Sequence, residues 1–254
     1  MIDLHCHILH GIDDGAKDLT DSLNMAKSAV AEGIRTIVAT PHHLNGFYTN
    51  PKQIILEKVE ELNKHLKQEN IDLTILPGQE TRIFGEMAEG MDSGELLSVS
   101  HSPYLLVEFP SANVPRYAEQ LFFDLQLKGI IPVIVHPERN QEIIENPDKL
   151  YQLVKKGALT QVTAASVAGG FGKKIKSFSL QLIEANLTHF IASDAHNTTN
   201  RSFKMIDAYE VIRSKFGRDT EFMFMENAVL VVEGKNLYKE APDRIKKKKF
   251  LNLF

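Results

Sequence analysis

The chain has 254 residues, a length that one α/β barrel or two small domains would fill. Its 43% hydrophobic and 24% charged residues can bury a substantial core, which excludes intrinsic disorder. With 33 acidic against 29 basic residues the net charge is −4, so there is no global attraction for nucleic acid or anionic membranes, and an anionic partner must be met locally. A single cysteine excludes an internal disulfide, the start lacks the flank and apolar run of a signal peptide, and no run approaches the roughly 20 apolar residues that span a bilayer. These features predict a cytoplasmic protein without stable membrane insertion.

In chain order, a first β-branched run predicts a strand over 2–5, followed by a helix with Leu23, Ala26 and Val30 on its apolar stripe and Gly33 closing it. A second strand over 36–40 precedes a helix opened by Asn50-Pro51 and striped by Ile55, Val59, Leu62 and Leu66. Strands over 73–77 and 104–109 follow, then a helical segment from Pro115 to Gly129, a strand over 131–136 and a shorter helix between Pro147 and Gly157. A strand over 159–163, a helix carrying Ile175, Phe178 and Leu182, and a last strand over 189–193 complete the pattern. Strand then helix, repeated over seven strands without a composition break, predicts parallel β/α units in one domain over 1–254. A closed or nearly closed seven-stranded (β/α) barrel of TIM-barrel-like type fits best. The doubly wound open sheet is the alternative, weakened by the lack of a glycine-rich phosphate loop after an early strand.

The strand ends carry the chemistry. The first ends in His5-Cys6-His7, which alternation places with both imidazoles on one face and the thiol on the other. The others end at His42, Glu80, Glu108, His136 and Asp194-Ala-His196, so six of the seven finish in a residue able to bind a metal. In a parallel barrel all C-terminal strand ends meet at one mouth. So many carboxylates and imidazoles gathered there are expensive to desolvate unless cations compensate them. A donor set of imidazole and carboxylate without thiolate suits Mn, Fe, Zn, Co or Mg, and its size implies two or three ions with shared carboxylates. Such a site generates hydroxide near neutral pH and clamps attacking and leaving oxygens, which fits phosphate ester hydrolysis. Asp14, in the turn Asp13-Asp14-Gly15, reads equally well as an outer ligand or as turn chemistry. Arg139 and Arg201 follow strand ends and are candidates for holding phosphate oxygens. Covalent thiol catalysis is excluded, because Ile12 stands where the phosphate-cradling arginine would follow Cys6.

The run from Asp3 through His5-Cys-His7 to Gly15, with Thr40-Pro-His42, Glu80, Glu108, His136-Pro-Glu-Arg139 and Asp194-Ala-His196, resembles the polymerase and histidinol phosphatase (PHP) superfamily. Within it, the chain is similar to the manganese-dependent bacterial protein-tyrosine phosphatases of the CpsB and YwqE type, over nearly its whole length. That resemblance implies a distorted β/α barrel holding three metal ions. His5, His7, Glu80 and Asp194 would hold one. Glu108 and His136 would hold a second with Glu80 bridging, and Asp14, His42 and His196 a third. It implies phosphate contacts from Arg139 and Arg201, and a phosphotyrosine substrate on a bacterial tyrosine kinase of capsule or exopolysaccharide synthesis or on that kinase's substrate proteins. His42 or a metal-bound water could serve as the acid, and the family pattern is compatible with a homo-oligomer. The alternatives are a small-molecule phosphomonoesterase such as histidinol phosphatase, then an amidohydrolase, for which no strand-end lysine is available to form a bridging carbamate. A non-catalytic regulatory scaffold in polysaccharide assembly is the reading from another class. The tail, with Lys246 to Lys249 beside Phe250, Leu251, Leu253 and Phe254, reads first as a packed or frayed terminus and second as a contact for an anionic surface.

Overall fold

β-branched runs followed by amphipathic helices wind into a curled, all-parallel sheet in the computed structural model, which describes residues 1–245. Its strands are β1 (Ile2–Cys6), β2 (Thr36–Ala39), β3 (His42–His43), β4 (Thr74–Pro77), β5 (Glu80–Arg82), β6 (Tyr104–Glu108), β7 (Ile131–Val135), β8 (Leu159–Thr163) and β9 (Phe190–Ala192). Hydrogen bonding runs β1-β2-β4 in one ladder and β3-β5-β6-β7-β8-β9 in the other. A parallel bridge between Cys6 and Ala195 joins the first strand to the end of the last.

All seven predicted strands are present, and two short ones, β3 and β5, are added just beyond the predicted ends of the second and third. Pro41, which has no N–H to donate, separates β2 from β3. Gly78 separates β4 from β5, where any Cβ would lie 2.6 Å from Val38 Cγ1. These short strands carry His42 and Glu80 to the mouth. The tail from Lys246 onward lies outside the described residues.

Two apolar layers hold the sheet. Leu4, Val38, Tyr104, Leu106, Val133, Leu159 and Phe190 fill the inside, while Ile37, Ile75, Leu105, Val107, Ile134, Val162 and Ile191 face the helices. A register shift between Asp3 and Cys6 marks β1 near the mouth. There Cys6 packs into the outer layer, with its thiol donating to the Ala195 carbonyl at 3.5 Å, and burial pushes its pKa up, as an inert, packed cysteine requires. The helices Leu19–Ala31, Lys52–Gln68, Ala118–Leu127, Asp148–Lys155 and Lys173–Glu184 lie where the sequence places them. The helices Met205–Phe216 and Arg218–Val232, which follow the last strand and are not foreseen, pack on each other, and the second also packs against β1 and β9. Among the described residues no helix is long and apolar enough to cross a membrane.

Candidate metal centre

Strand ends from around the barrel deliver their side chains to one point. His5 Nε2 and His7 Nε2 lie 3.2 Å apart, and each lies 3.3 to 3.5 Å from Glu80 Oε2 and from Asp194 Oδ1. Donor atoms about 2.1 Å from one divalent ion sit at about such separations from each other, and His5, His7 and Glu80 offer ligand atoms all within 4.8 Å of one another.

Hydrogen bonding fixes what those atoms can be. His5 Nδ1 lies 3.0 Å from Gln161 Oε1, and His7 Nδ1 lies 2.7 Å from Asp13 Oδ2. In the neutral imidazoles each Nδ1 therefore carries the proton, and each Nε2 presents a lone pair to the common point. Two lone-pair nitrogens and two carboxylate oxygens directed at one another repel, and only a cation or captured protons reconcile them. His7 shows the protonic alternative. Burial opposes its charged form, but the carboxylates of Asp13, Asp194 and Glu80 outweigh this and hold its pKa well above the ordinary value.

Asp194 reaches this point because its backbone is left-handed, at φ 53°. His136, at the end of β7, is also left-handed at φ 38° and brings Nε2 to 2.7 Å from Glu80 Oε1. Non-glycine residues adopt this conformation at a cost that surrounding structure must cover, and both here serve to aim a side chain into the mouth.

Two further groups adjoin the first. His7, Asp14, His42 and His196 offer ligand atoms all within 4.8 Å of one another, and so do His42, Glu80 and Glu108. Asp14 Oδ1 is 3.4 Å from both His42 Nε2 and His196 Nε2. His196 Nδ1 lies 3.0 Å from the Asp194 carbonyl, which makes it the donor and leaves Nε2 a buried lone pair with no partner. His42 Nδ1 and Glu80 Oε2 lie 2.8 Å apart yet lack hydrogen-bond geometry, and both are buried without another partner. These orphaned atoms are the expected signature of donors shaped for cations. Burial, then the charge of Glu80, pushes the Glu108 carboxyl up to about 7, while burial lowers His136 and His196 to about 4. All nine candidate ligands named from sequence, His5, His7, Asp14, His42, Glu80, Glu108, His136, Asp194 and His196, gather here. The compact group around Glu80 and Glu108 contains His42, with His136 on the other Glu80 oxygen.

The arginines converge as well. Arg139 Nη2 lies 2.7 Å from Asp194 Oδ2, and Arg201 Nη2 contacts both Asp194 oxygens at 3.2 and 3.3 Å. Both line an open cleft of about 240 Å3 with His42, Glu108, His136 and Asp194. Three contributors escaped the sequence reading. Arg82, on the same face of β5 as Glu80, lies 3.1 Å from Glu108 Oε2, and the alternation that paired His5 with His7 would have found it. Gln161 carries no charge to betray its role beside His5. Asp13 was visible only as turn chemistry, yet its side chain also accepts the His42 N–H at 3.2 Å and the Gly15 N–H at 2.9 Å. Gly15 itself is required, since a Cβ there would sit 2.1 Å from the His7 carbonyl oxygen. His43, left unassigned from sequence, is buried with its Nδ1 accepting the Asn50 N–H, and serves packing.

Fold and mouth together define the class: a parallel β/α barrel with a cluster of imidazole and carboxylate groups able to hold metal at its C-terminal face. The model of the capsular polysaccharide synthesis family CpsB/CapC matches residues 1–233, and the chain belongs to that family. It is 53% identical over the full length of both chains to the tyrosine-protein phosphatase YwqE of Bacillus subtilis, and 40% identical, again over both full lengths, to the putative tyrosine-protein phosphatase CapC of Staphylococcus aureus. A solved structure from the work on YwqE from Bacillus subtilis and CpsB from Streptococcus pneumoniae, described as metal-dependent tyrosine phosphatases, superposes with a TM-score of 0.96 at 53% identity, covering 97% of this chain and 100% of that one. The histidinol phosphate phosphatase of Lactococcus lactis shares the fold alone, with a TM-score of 0.51 at 13% identity over 97% of this chain and 100% of that one.

Proposed function

We infer that the chain is a metal-dependent tyrosine-protein phosphatase of the capsule-synthesis type. The observation that carries this reading is the convergence of lone-pair atoms from His5, His7, Glu80 and Asp194, in a chain whose full-length relatives bear that activity's name. Those four residues would hold one divalent ion, Glu108 and His136 a second with Glu80 bridging, and Asp14, His42 and His196 a third. His42 lies between the last two groups and could serve either. Manganese heads the ions this donor set accommodates, with Fe, Zn, Co and Mg compatible. When bound, such ions supply positive charge to phosphoryl oxygens and bring the pKa of water towards neutrality.

The charges of the mouth decide how the arginines act. Arg82, Arg139 and Arg201 all lie within ion-pair distance of the carboxylates of Glu108, Asp194 and Asp14. Left so, the mouth offers a phosphate dianion no spare cation. With divalent charge to balance the carboxylates, the guanidiniums of Arg139 and Arg201 would be free to bind phosphoryl oxygens bidentately and to hold them as charge develops. A phenolate leaving group, with a pKa of about 10, gains little from an acid, so a proton from His42 is a modest aid.

The substrate this reading assigns is phosphotyrosine on a bacterial tyrosine kinase of capsule or exopolysaccharide synthesis, or on the proteins that kinase modifies, and the whole chain acts as one catalytic domain. Turnover of a phosphotyrosyl peptide and of histidinol phosphate, each with manganese and with chelator, tests it. Metal-dependent release of phosphate from the peptide, far faster than from histidinol phosphate, is expected. Preference for histidinol phosphate would assign a small-molecule phosphomonoesterase instead.

A further inference from the structure

Outside the cleft itself, two of the loops that follow strand ends raise aromatic rings beside the mouth. The first leaves β3 immediately after His42 and His43. Leu44 and Gly46 are left-handed, at φ 57° and 93°. Asn45 Oδ1 accepts the N–H groups of Phe47 at 3.0 Å and Tyr48 at 2.9 Å. The Tyr48 ring lies nearly parallel to His42, with an interplanar angle of 10° and centroids 6.3 Å apart. Asn50 fastens the far end, its Nδ2 donating to the carbonyls of His42 at 2.8 Å and Ile12 at 2.9 Å. A loop tied at its tip, its middle and its end holds Phe47 89% exposed. Scattered exposed apolar residues are ordinary, but a large ring held in water by a built loop next to a metal-directed imidazole is a different case.

The second loop, Gly169-Gly-Phe-Gly172, follows β8 and the short helix Ala164–Ala168. It presents Phe171, 37% exposed, with the Arg139 guanidinium 5.4 Å from its ring centroid. Going round the barrel, β3 and β8 are three strand positions apart one way and four the other. Their loops therefore face each other across the mouth, one beside His42 and one beside Arg139. Phe47 does not line the cleft in which the phosphoryl group would sit. Only a substrate that continues beyond the cleft can reach it.

Resting on the phosphatase reading above, we propose that Phe47 and Phe171 are specificity-determining residues, two aromatic flanks that hold the polypeptide on either side of the phosphotyrosine. They make the mouth selective for phosphotyrosine within an extended chain over a free aryl phosphate. The flanks contribute apolar burial to substrate binding and touch no reacting atom, so their contribution falls on KM.

The test compares the full-length manganese-loaded enzyme with Phe47→Ser on a phosphotyrosyl peptide and on p-nitrophenyl phosphate. The expected result is a KM for the peptide raised roughly 5- to 30-fold with little change in kcat, and kinetics on p-nitrophenyl phosphate within about twofold of the parent. Phe171→Ala likewise raises the peptide KM by more than that for p-nitrophenyl phosphate, and an equal rise for both would show that its effect comes only through Arg139. The proposal is overturned if Phe47→Ser leaves the peptide KM unchanged, or if it depresses both substrates equally. A parent enzyme that cleaves p-nitrophenyl phosphate but not the peptide would instead remove the protein-phosphatase reading beneath it.

Discussion

Replacing Asp13 by asparagine keeps the shape of the side chain and alters one atom, and its effect can be worked out from the hydrogen bonds it makes. One carboxylate oxygen accepts from His7 Nδ1 at 2.7 Å and from the His42 N–H at 3.2 Å, and the other from the Gly15 N–H at 2.9 Å. An amide has one oxygen to offer. If that oxygen stays with Gly15, the amide NH2 faces His7 Nδ1, and the imidazole answers by moving its proton to Nε2. That proton then points at Glu80 Oε2 and Asp194 Oδ1, 3.3 and 3.4 Å away, in the place a cation would take. If the amide flips, the Gly15 N–H loses its acceptor, which costs about 1 to 3 kcal/mol. Either way the charge-assisted bond that makes His7 a strong donor is lost. Removing such a partner behind a metal-binding histidine weakens metal affinity by about 10- to 100-fold, which is roughly 1.4 to 2.7 kcal/mol. Competition with a chelator of known affinity, read as metal retained on the protein, measures this, and circular dichroism of the metal-free variant checks its fold. An Asp13→Asn variant that folds and binds manganese as tightly as the parent would refute the reasoning.

Metal uptake should release protons, because His7 is held above its ordinary pKa and Glu108 stands near about 7 in the metal-free protein. Cation and proton compete for the same lone pairs, so affinity falls as pH drops from 8 to 6; calorimetric heats that do not vary with the buffer's ionisation enthalpy would contradict this. Arg139→Gln should lower kcat/KM for an aryl phosphate by about 10²- to 10³-fold with metal content undiminished, since Asp194 then loses a competing cation; loss of metal in step with activity would assign Arg139 a structural part instead. His189, whose Nδ1 accepts the Thr160 N–H at 3.0 Å, is pushed down to about 3 by burial and then by the charge of Lys239. Its contribution to stability is complete above the unfolded pKa of about 6.5 and is lost as pH falls from there towards 3. His189→Asn keeps the acceptor without the titration, so the variant should gain about 2 kcal/mol relative to the parent between pH 7 and pH 5 in denaturant unfolding of the metal-free proteins, whereas parallel pH curves would sink the argument.

The strands and the mouth were legible because both are written in local pattern. β-branched runs mark buried parallel strands, and a parallel barrel converts strand ends into neighbours without further information. Hence residues as far apart as His5 and Asp194 could be gathered from sequence. What stayed hidden depends on geometry that no local pattern encodes. The breaks at Pro41 and Gly78 look like ordinary strand termini until β3 and β5 are seen beyond them. The left-handed backbones of His136 and Asp194 suit residue types that tolerate that region better than most, but which of the chain's many histidines and aspartates adopt it is set by their surroundings. Gln161 and Asp13 act through an imidazole and not on the centre itself, so neither charge nor spacing singles them out. The helices Met205–Phe216 and Arg218–Val232 follow the last strand, where the strand-helix alternation gives no further template. The tail's lysines and phenylalanines remain a sequence pattern outside the described residues.

Anomalous diffraction at the manganese edge, from crystals of the loaded protein, bears most directly on the centre. The account predicts a strong peak within bonding distance, about 2.0 to 2.2 Å, of His5 Nε2, His7 Nε2, Glu80 Oε2 and Asp194 Oδ1, with further peaks beside Glu108 and beside Asp14 and His196. A loaded, fully active crystal with no peak among those four atoms would contradict it.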